Sequence, residues 1–336
     1  MQTEMITINK TRNVTLTAYT QPVGAKFDYV AKRPAILILP GGAYRYCSDR
    51  EADPVAFAYL KAGYQAFILR YSVAEHSTWP NPLEDVEAAL EMIRSREDWN
   101  VSPDKVPVIG FSAGGHLAAA AATMAKVRPN AAILGYAVVS NDAKGCCLTA
   151  PDTIAAVDKN TCPCFIFSSR TDETVPIRNS IDFMGALADA GIAFESHIYA
   201  YGPHGFSTCD SSVHFNGKPV CVRTPNWVAD SIGWLKDVLG DFGQGEMTQP
   251  VCPGHVNDDH LDYLTVDSTV RKVMANEEAR RLVEPGMAAM HARFNEHGVD
   301  GMSLVHNMKL RMLLAVAGVK PEQVREIDEK LRKIKD

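Results

Sequence analysis

A serine flanked by glycines at residues 110–114, in the order GFSAG, is the feature that most constrains the fold. It follows an apolar run at 106–111 and precedes a run of mostly small residues, GHLAAAAA, at 115–122. This order predicts a strand, a sharp turn and a helix. Such a turn lifts Ser112 clear of the sheet, where a base can take its hydroxyl proton. The glycines permit a tight turn and close packing of the helix.

The rest of the chain predicts an α/β fold. Alternation at 6–8 and 14–19 is typical of exposed antiparallel strands, whereas the continuously apolar segment 35–39 predicts a strand buried on both faces. Further strands are predicted at 65–71, 106–111, 131–139, 164–168 and 194–200, and helices at 54–62, 82–96, after the serine turn, at 179–190 and at 226–239. Strands that alternate with helices predict a mostly parallel central sheet with helices on both faces.

Composition suggests a large catalytic domain with a small appendage. We expect an α/β domain at 1–243, a linker at 244–262 that is rich in Gly, Pro, Asp and His, and a small helical domain of unknown role at 263–336. Apolar spacing at Val270, Val273 and Met274 is helical, and Pro321 is typical of the first turn of a last helix. The same pattern continues at Met287, Met290 and Phe294, with Ser303 as an N-cap candidate.

Charge and cysteine usage restrict the partners. The net charge of −6 provides no basic surface for nucleic acid or anionic membranes, so we expect neither as a partner. The N-terminus lacks the pattern of a signal peptide and no apolar run reaches membrane-spanning length, so we expect a cytoplasmic location. The eight cysteines lack the spacing of a compact disulfide framework, and reduced thiols are expected.

Three chemistry-bearing side chains follow the ends of predicted strands. Ser112, Asp172 and His204 occur in the order serine, acid, histidine. Because the carboxyl ends of parallel strands meet at one edge of a sheet, we expect Ser112 as nucleophile, His204 as base and Asp172 as the acid that orients it. Alternatives remain: Ser112 could be a helix N-cap, and Glu173 or Asp142 could replace Asp172.

Backbone amides near Ser112 are candidates for stabilising an oxyanion. The N–H of Ala113 is one, and those of Gly42 and Ala43, which follow the first buried strand, are others. An ordinary glycine turn is the alternative interpretation of the latter pair. Aromatic residues near the predicted catalytic edge are substrate-pocket candidates: Tyr44, Tyr46, Trp79 and Phe206. Simple packing is the alternative for Tyr44, Tyr46 and Trp79.

A metal site is one alternative that the later cysteines and histidines raise. His116 is interpreted as a histidine packed on the helix face rather than as a second base. Several cysteines and histidines in the later part of the chain could bind zinc, but no pair has the tight spacing of a structural site. The set is Cys209, His214, Cys221, Cys252, His255 and His260. We therefore expect no metal.

These motifs together resemble the α/β-hydrolase superfamily. Within it they resemble the hormone-sensitive-lipase-related branch that includes acetylxylan-esterase-like and feruloyl-esterase-like carbohydrate esterases. The resemblance spans roughly residues 10–240 and rests on LPGGAY at 39–44, WPNPLED at 79–85, GFSAGGH at 110–116, TDETVP at 171–176 and HGF at 204–206. Many relatives carry His-Gly-Gly-Gly in the oxyanion loop, where this chain has Pro40 first and Ala43 last.

The resemblance implies hydrolysis of short acyl esters without a metal or organic cofactor. The implied substrate is a small acylated carbohydrate, with acetyl groups on plant oligosaccharides such as xylo-oligosaccharides as the first expectation. Two alternatives stay open: an amidase or peptidase that uses the same triad, and a non-catalytic carbohydrate-binding or assembly protein. The sequence leaves the subunit number open, a homo-oligomer included.

Overall fold

The computed structural model of this chain describes residues 1–213, 219–285 and 305–335. The chain divides into two compact units, Met1–Gly254 and His255–Asp336. Each is described by itself below. No helix within the described ranges combines the length and apolarity needed to cross a bilayer.

The first unit is built on one sheet, which contains eight strands in the described part of the chain. Its strands are β1 (Gln2–Asn9), β2 (Val14–Thr20), β3 (Ala35–Leu39), β4 (Gln65–Arg70), β5 (Val108–Phe111), β6 (Ala132–Gly135), β7 (Cys164–Ser169) and β8 (Phe194–Tyr199). They lie in the order β1-β2-β4-β3-β5-β6-β7-β8. The β1–β2 and β2–β4 pairs are antiparallel, and every later pair is parallel. The predicted mostly parallel sheet is therefore confirmed.

Helices cover both faces of this sheet. They are α1 (Asp53–Lys61), α2 (Asn81–Ser95), α3 (Ala113–Thr123), α4 (Arg178–Asp189) and α5 (Trp227–Leu239). Successive residues of β3 enter different cores: Leu37 joins the cluster that contains residues of α2, α3 and α4, and Ile38 joins the cluster that contains residues of α1 and α5. Because side chains alternate along a strand, a continuously apolar strand such as β3 can serve both cores.

Two boundaries differ from the sequence prediction. The strand predicted at 131–139 ends as β6 at Gly135, because Tyr136 turns out of the sheet with φ 36°. The first part of the predicted linker belongs to the first unit, where Gly245 accepts a hydrogen bond from the Ala31 N–H and Gly254 accepts one from the Ala193 N–H. The division at 254/255 thus lies inside the stretch expected as a linker.

The second unit has its own apolar core. Its helices are α6 (Val270–Ala275), α7 (Leu310–Val316) and α8 (Pro321–Leu331), and residues 277–285 are also helical. Val270, Leu310 and Leu331 are fully or almost fully buried in this core. The predicted last helix begins at Pro321 as expected. The expectations for Met287, Met290, Phe294 and Ser303 lie outside the described residues.

Candidate active site

Ser112 occupies the sharp turn between β5 and α3. Its backbone has φ 52° and ψ −116°, a conformation that costs energy for any residue with a side chain. Ser112 is the N-cap position of α3, but its side chain makes no capping hydrogen bond. The Ser112 N–H instead donates to the Gly135 carbonyl at the end of β6, at 2.9 Å. The turn is therefore held by the sheet, and the hydroxyl remains available for another partner.

The neighbouring glycines are required by close backbone approaches. A Cβ added at Gly114 would lie 2.1 Å from the Leu39 carbonyl oxygen, and one added at Gly110 would lie 2.0 Å from the Gly114 carbonyl oxygen. No side chain fits at either distance. The first turn of α3 therefore sits against the end of β3, which brings the loop after β3 beside Ser112.

Ser112, His204 and Asp172 form a continuous hydrogen-bonded chain. His204 Nε2 lies 2.9 Å from Ser112 Oγ, and His204 Nδ1 lies 2.7 Å from Asp172 Oδ2. An ionised carboxylate can only accept a hydrogen bond, so Nδ1 carries the imidazole proton in the neutral ring. Nε2 is then the acceptor, which is the arrangement needed to receive the serine proton.

The acid beside His204 is Asp172 rather than its competitors. The Asp172 side chain is only 2% exposed. Its second carboxylate oxygen accepts the N–H groups of Thr174 at 2.8 Å and Val175 at 2.9 Å, which fixes its orientation. Glu173 is exposed, and the Asp142 carboxylate accepts a hydrogen bond from Asn179 at 2.9 Å. Asp172 is thus the acid that is hydrogen-bonded to the imidazole.

The loop after β3 lies against the serine turn. A Cβ added at Gly41 would be 3.1 Å from Ser112 Cβ. Gly42 has φ 133°, a backbone region that favours glycine, and an added Cβ there would lie 2.1 Å from the Tyr46 carbonyl oxygen. Within the described part of the chain, the N–H groups of Gly42 and Ala43 donate to no protein acceptor. The N–H of Ala113, the first residue of α3, lies outside the hydrogen-bond ladder of the helix.

His116, one turn beyond Ser112, is a buried structural histidine. Its Nε2 lies 2.8 Å from the Pro151 carbonyl oxygen and its Nδ1 lies 2.8 Å from the Tyr44 hydroxyl. A carbonyl can only accept, so Nε2 carries the proton and Nδ1 accepts from Tyr44. Burial lowers the pKa of His116 to about 4, although Pro151 and Asp152 oppose this change. His116 is therefore neutral at pH 7 and links α3 to the loop after β3.

The aromatic pocket candidates occupy different environments. Tyr44 is 1% exposed and packs edge-on against Trp79, with ring centroids 6.5 Å apart. Trp79 is half-buried, and its indole N–H is buried without a partner among the described residues. Tyr46 is 61% exposed and lines an open groove. The expectation for Phe206 needs correction: it is 1% exposed and packs on Tyr136 with ring centroids 4.8 Å apart, so it belongs to the core.

Two residues near this site were missed by sequence reasoning. Glu51 is 5% exposed and accepts hydrogen bonds from the Gly41 N–H at 2.8 Å and from the Tyr136 hydroxyl at 2.6 Å. Burial raises the pKa of Glu51, while the two donors oppose that change. The ring of Tyr136 lies edge-on to His204, with centroids 5.1 Å apart. Nothing in the charged stretch DRE at 49–51 distinguishes Glu51 from a solvated acid.

The described members of the alternative zinc set do not form a metal site. Within 1–213, 219–285 and 305–335, no three His, Cys, Asp or Glu side chains are grouped as metal ligands would be. His214 of that set lies outside the described residues. His255 and His260 stack on one another with ring centroids 3.8 Å apart.

Comparisons with known proteins agree with this fold. The BD-FAE family matches residues 28–131. MGS-M1, described as an α/β-hydrolase enzyme from a Medee basin deep-sea metagenome library, is 41% identical with a TM-score of 0.66, and the match covers 71% of this chain and 98% of that one. An acetyl ester-xyloside bifunctional hydrolase from Caldicellulosiruptor lactoaceticus is 25% identical with a TM-score of 0.61, covering 70% of this chain and 96% of that one.

A curated relative points in the same direction. The acetylxylan esterase of Xylanibacter ruminicola is 34% identical over 196 residues, which is 51% of this chain and 41% of that protein. The chain therefore spans less than half the length of that relative. The matches bear out the resemblance drawn from the motifs.

Proposed function

The chain belongs to the α/β-hydrolase family, and from this premise we propose that it is a serine esterase in which Ser112, His204 and Asp172 act as a catalytic triad. The observation that carries the proposal is the pair of hydrogen bonds, 2.9 Å and 2.7 Å long, that joins the three side chains. A serine, a base and an orienting acid at hydrogen-bond distance are the arrangement that activates a hydroxyl as nucleophile.

The first half of the reaction forms an acyl-enzyme. Ser112 Oγ attacks the ester carbonyl carbon while His204 Nε2 takes the hydroxyl proton. The carbonyl oxygen becomes an oxyanion, and the imidazolium is stabilised by the Asp172 carboxylate. When the intermediate collapses, the bond to the leaving alcohol oxygen breaks and His204 returns the proton to that oxygen. The acyl group is left as an ester of Ser112.

The second half restores the enzyme. A water molecule attacks the acyl-enzyme carbonyl carbon, and His204 accepts one of its protons. Collapse of the second intermediate breaks the bond to Ser112 Oγ, which recovers its proton from His204. The carboxylic acid leaves.

Backbone amides stabilise the negative charge in both halves. We assign this role to the N–H groups of Ala113, Gly42 and Ala43. Preorganised donors that lose no protein partner when the oxyanion forms cost nothing in reorganisation, and one such donor can change kcat by about 10²-fold to 10³-fold. Pro40 and Ala43 stand where many relatives have His and Gly, but a backbone donor needs no particular side chain.

The substrate we propose is a short-chain, chiefly acetyl, ester on a plant-derived oligosaccharide. This specificity is supported by similarity to an acetylxylan esterase and to an acetyl ester-xyloside hydrolase. His116, one turn along α3 from the nucleophile, packs edge-on against the half-buried Trp79, with ring centroids 5.4 Å apart, and we expect Trp79 to favour a small acyl group. A cytoplasmic location stays a prediction.

Hydrolysis assays test the proposal. The full chain should hydrolyse p-nitrophenyl acetate and release acetate from acetylated xylo-oligosaccharides, and Ser112→Ala should abolish both reactions. Ser77→Ala is the matched control and should leave both rates unchanged, because the Ser77 hydroxyl donates to the Ala74 carbonyl, within its own turn. Preferred cleavage of anilide substrates would favour an amidase. Full activity in Ser112→Ala would refute the assigned nucleophile.

A further inference from the structure

We propose that Glu51 and Tyr136 are positioning residues that keep the oxyanion loop and the His204 loop aligned with Ser112. Here the oxyanion loop is residues 40–44 and the His204 loop is residues 202–207. The inference rests on the proposed function and deepens it, since it names which residues set the geometry of that site.

The Glu51 carboxylate holds the oxyanion loop through Gly41. One of its carboxylate oxygens accepts the Gly41 N–H at 2.8 Å. The Gly41 carbonyl is held as well, because it accepts the Ser48 N–H at 2.9 Å, and the Glu51 N–H donates in turn to the Ser48 carbonyl. Both peptide groups of Gly41 are thus tied to residues 48–51. Since Gly42 and Ala43 follow directly, the direction of their N–H groups depends on this attachment.

Tyr136 connects the same carboxylate to the His204 loop. Its hydroxyl donates to the other Glu51 oxygen at 2.6 Å and accepts the Ser207 N–H at 3.1 Å. The Tyr136 ring also contacts His204 edge-on. Tyr136 directly follows Gly135, whose carbonyl receives the Ser112 N–H. Tyr136 therefore contacts Glu51, which holds the oxyanion loop, contacts the His204 loop, and directly follows the residue that binds the Ser112 turn.

A second attachment runs parallel to the first. The Ser207 hydroxyl donates to the Arg50 carbonyl at 2.5 Å, and the Ser207 carbonyl accepts the Trp227 indole N–H at 2.9 Å. Residues 50 and 51 therefore contact both loops. A displacement of this short segment would move the oxyanion loop and the His204 loop together.

Packing alone does not account for a carboxylate at this position. Within the described part of the chain Glu51 makes no contact ion pair. Burial raises its pKa and outweighs the charges of His204 and Arg50, which act to lower it. A buried carboxylate without a contacting countercharge is costly to desolvate. An apolar residue of similar size would often be as stable. A carboxylate is nonetheless the group that can accept from two donors in different loops at once, whereas an amide would present an N–H to one of them. A carboxylate at position 51 therefore suits a residue that aligns two segments of the chain.

Two conservative variants test this assignment. Tyr136→Phe removes the bridging hydroxyl and keeps the ring, and Glu51→Gln keeps the size and replaces one acceptor by a donor. Each should lower kcat for p-nitrophenyl acetate by about 10-fold to 100-fold, the loss expected from a small misplacement of reacting groups. KM should change much less than kcat. The double variant should lose less than the product of the single losses, because the two residues share one hydrogen bond.

Tyr59→Phe is the matched control. Tyr59 is also fully buried, and its hydroxyl also makes a side-chain hydrogen bond, to Ser231 at 2.9 Å, between α1 and α5. This variant should keep the wild-type kcat although it loses comparable stability. Active-site titration with a fluorophosphonate counts reactive sites, so kcat is expressed per site that folds correctly.

The outcomes separate the inference from the proposed function. If the wild type hydrolyses esters through Ser112 but Tyr136→Phe and Glu51→Gln keep the wild-type kcat per titrated site, the positioning role is overturned and the esterase stands. The role is equally overturned if the loss is fully explained by fewer titrated sites. If the wild type hydrolyses no ester, the proposed function fails, and the rate of fluorophosphonate labelling in the two variants still reports on alignment.

Discussion

His116 should make the stability of the first unit depend on pH. In the folded chain it is fully buried as the neutral tautomer, with Nε2 donating to the Pro151 carbonyl and Nδ1 accepting from the Tyr44 hydroxyl. Protonation of Nδ1 would force the Tyr44 hydroxyl to turn from donor to acceptor and would place a positive charge in a fully buried position. Burial accordingly lowers the pKa of His116 to about 4. An unfolded chain would bind this proton near the ordinary value of 6.5.

The direction of the effect follows from proton binding. Between pH 6.5 and about 4 the unfolded state binds more protons at this residue than the folded state does, so acid favours unfolding. The stabilising contribution is complete above pH 6.5 and is lost as the pH falls through that window. The fall in pKa from 6.5 to about 4 corresponds to roughly 3 kcal/mol in total. Of this, about 2 kcal/mol should already be lost at pH 5.

Urea unfolding of the wild type and of His116→Gln at pH 7 and pH 5 measures this contribution. The other titrating groups are common to both proteins, so their effects cancel in the difference. The wild type should lose about 2 kcal/mol more of its unfolding free energy between the two pH values than the variant does. Equal losses in both proteins would show that His116 is not buried in its neutral form, and would remove the link between α3 and Tyr44.

Two further predictions concern the triad and the serine turn. Asp172→Asn should lower kcat for p-nitrophenyl acetate by about 10³-fold or more, because the amide no longer fixes the imidazole tautomer. Glu173→Gln should keep a kcat close to that of the wild type. The reverse pattern would assign the role of the orienting acid to Glu173. Gly114→Ala should reduce the unfolding free energy by more than about 2 kcal/mol, because its Cβ would lie 2.1 Å from the Leu39 carbonyl oxygen. Gly233→Ala, in open space on α5, should raise the unfolding free energy by about 0.5 to 1 kcal/mol. Urea unfolding measures both changes, and changes of the opposite sign would contradict the packing argument.

Local patterns predicted the sheet well where each strand was a continuous apolar run between turn residues. The buried strand at 35–39 and the turn at Ser112 are examples. The end of β6 was not predictable in this way, because residues 136–139 are as apolar as the strand itself. Tyr136 leaves the sheet with φ 36° and contacts Glu51 and the His204 loop, which are distant in sequence. Tertiary contacts decide that boundary.

The rule that strand ends meet at one edge predicted that Ser112, Asp172 and His204 would lie close together. It did not predict the residues that hold the neighbouring loops. Glu51 lies in a charged tripeptide that resembles any exposed loop, and its burial depends on donors in two other segments. Phe206 illustrates the opposite error. It was expected to line the pocket because it lies near the predicted catalytic edge, but the turn at Gly205, with φ 70°, precedes a ring that is buried against Tyr136.

Covalent labelling tests the central claim most directly. The full chain is treated with a fluorophosphonate, digested, and mapped by mass spectrometry. A hydroxyl activated by His204 should give one adduct, on the peptide that contains Ser112, and His204→Ala should abolish it while the far-ultraviolet circular dichroism spectrum stays unchanged. An adduct on another serine, or undiminished labelling of Ser112 in His204→Ala, would contradict the account.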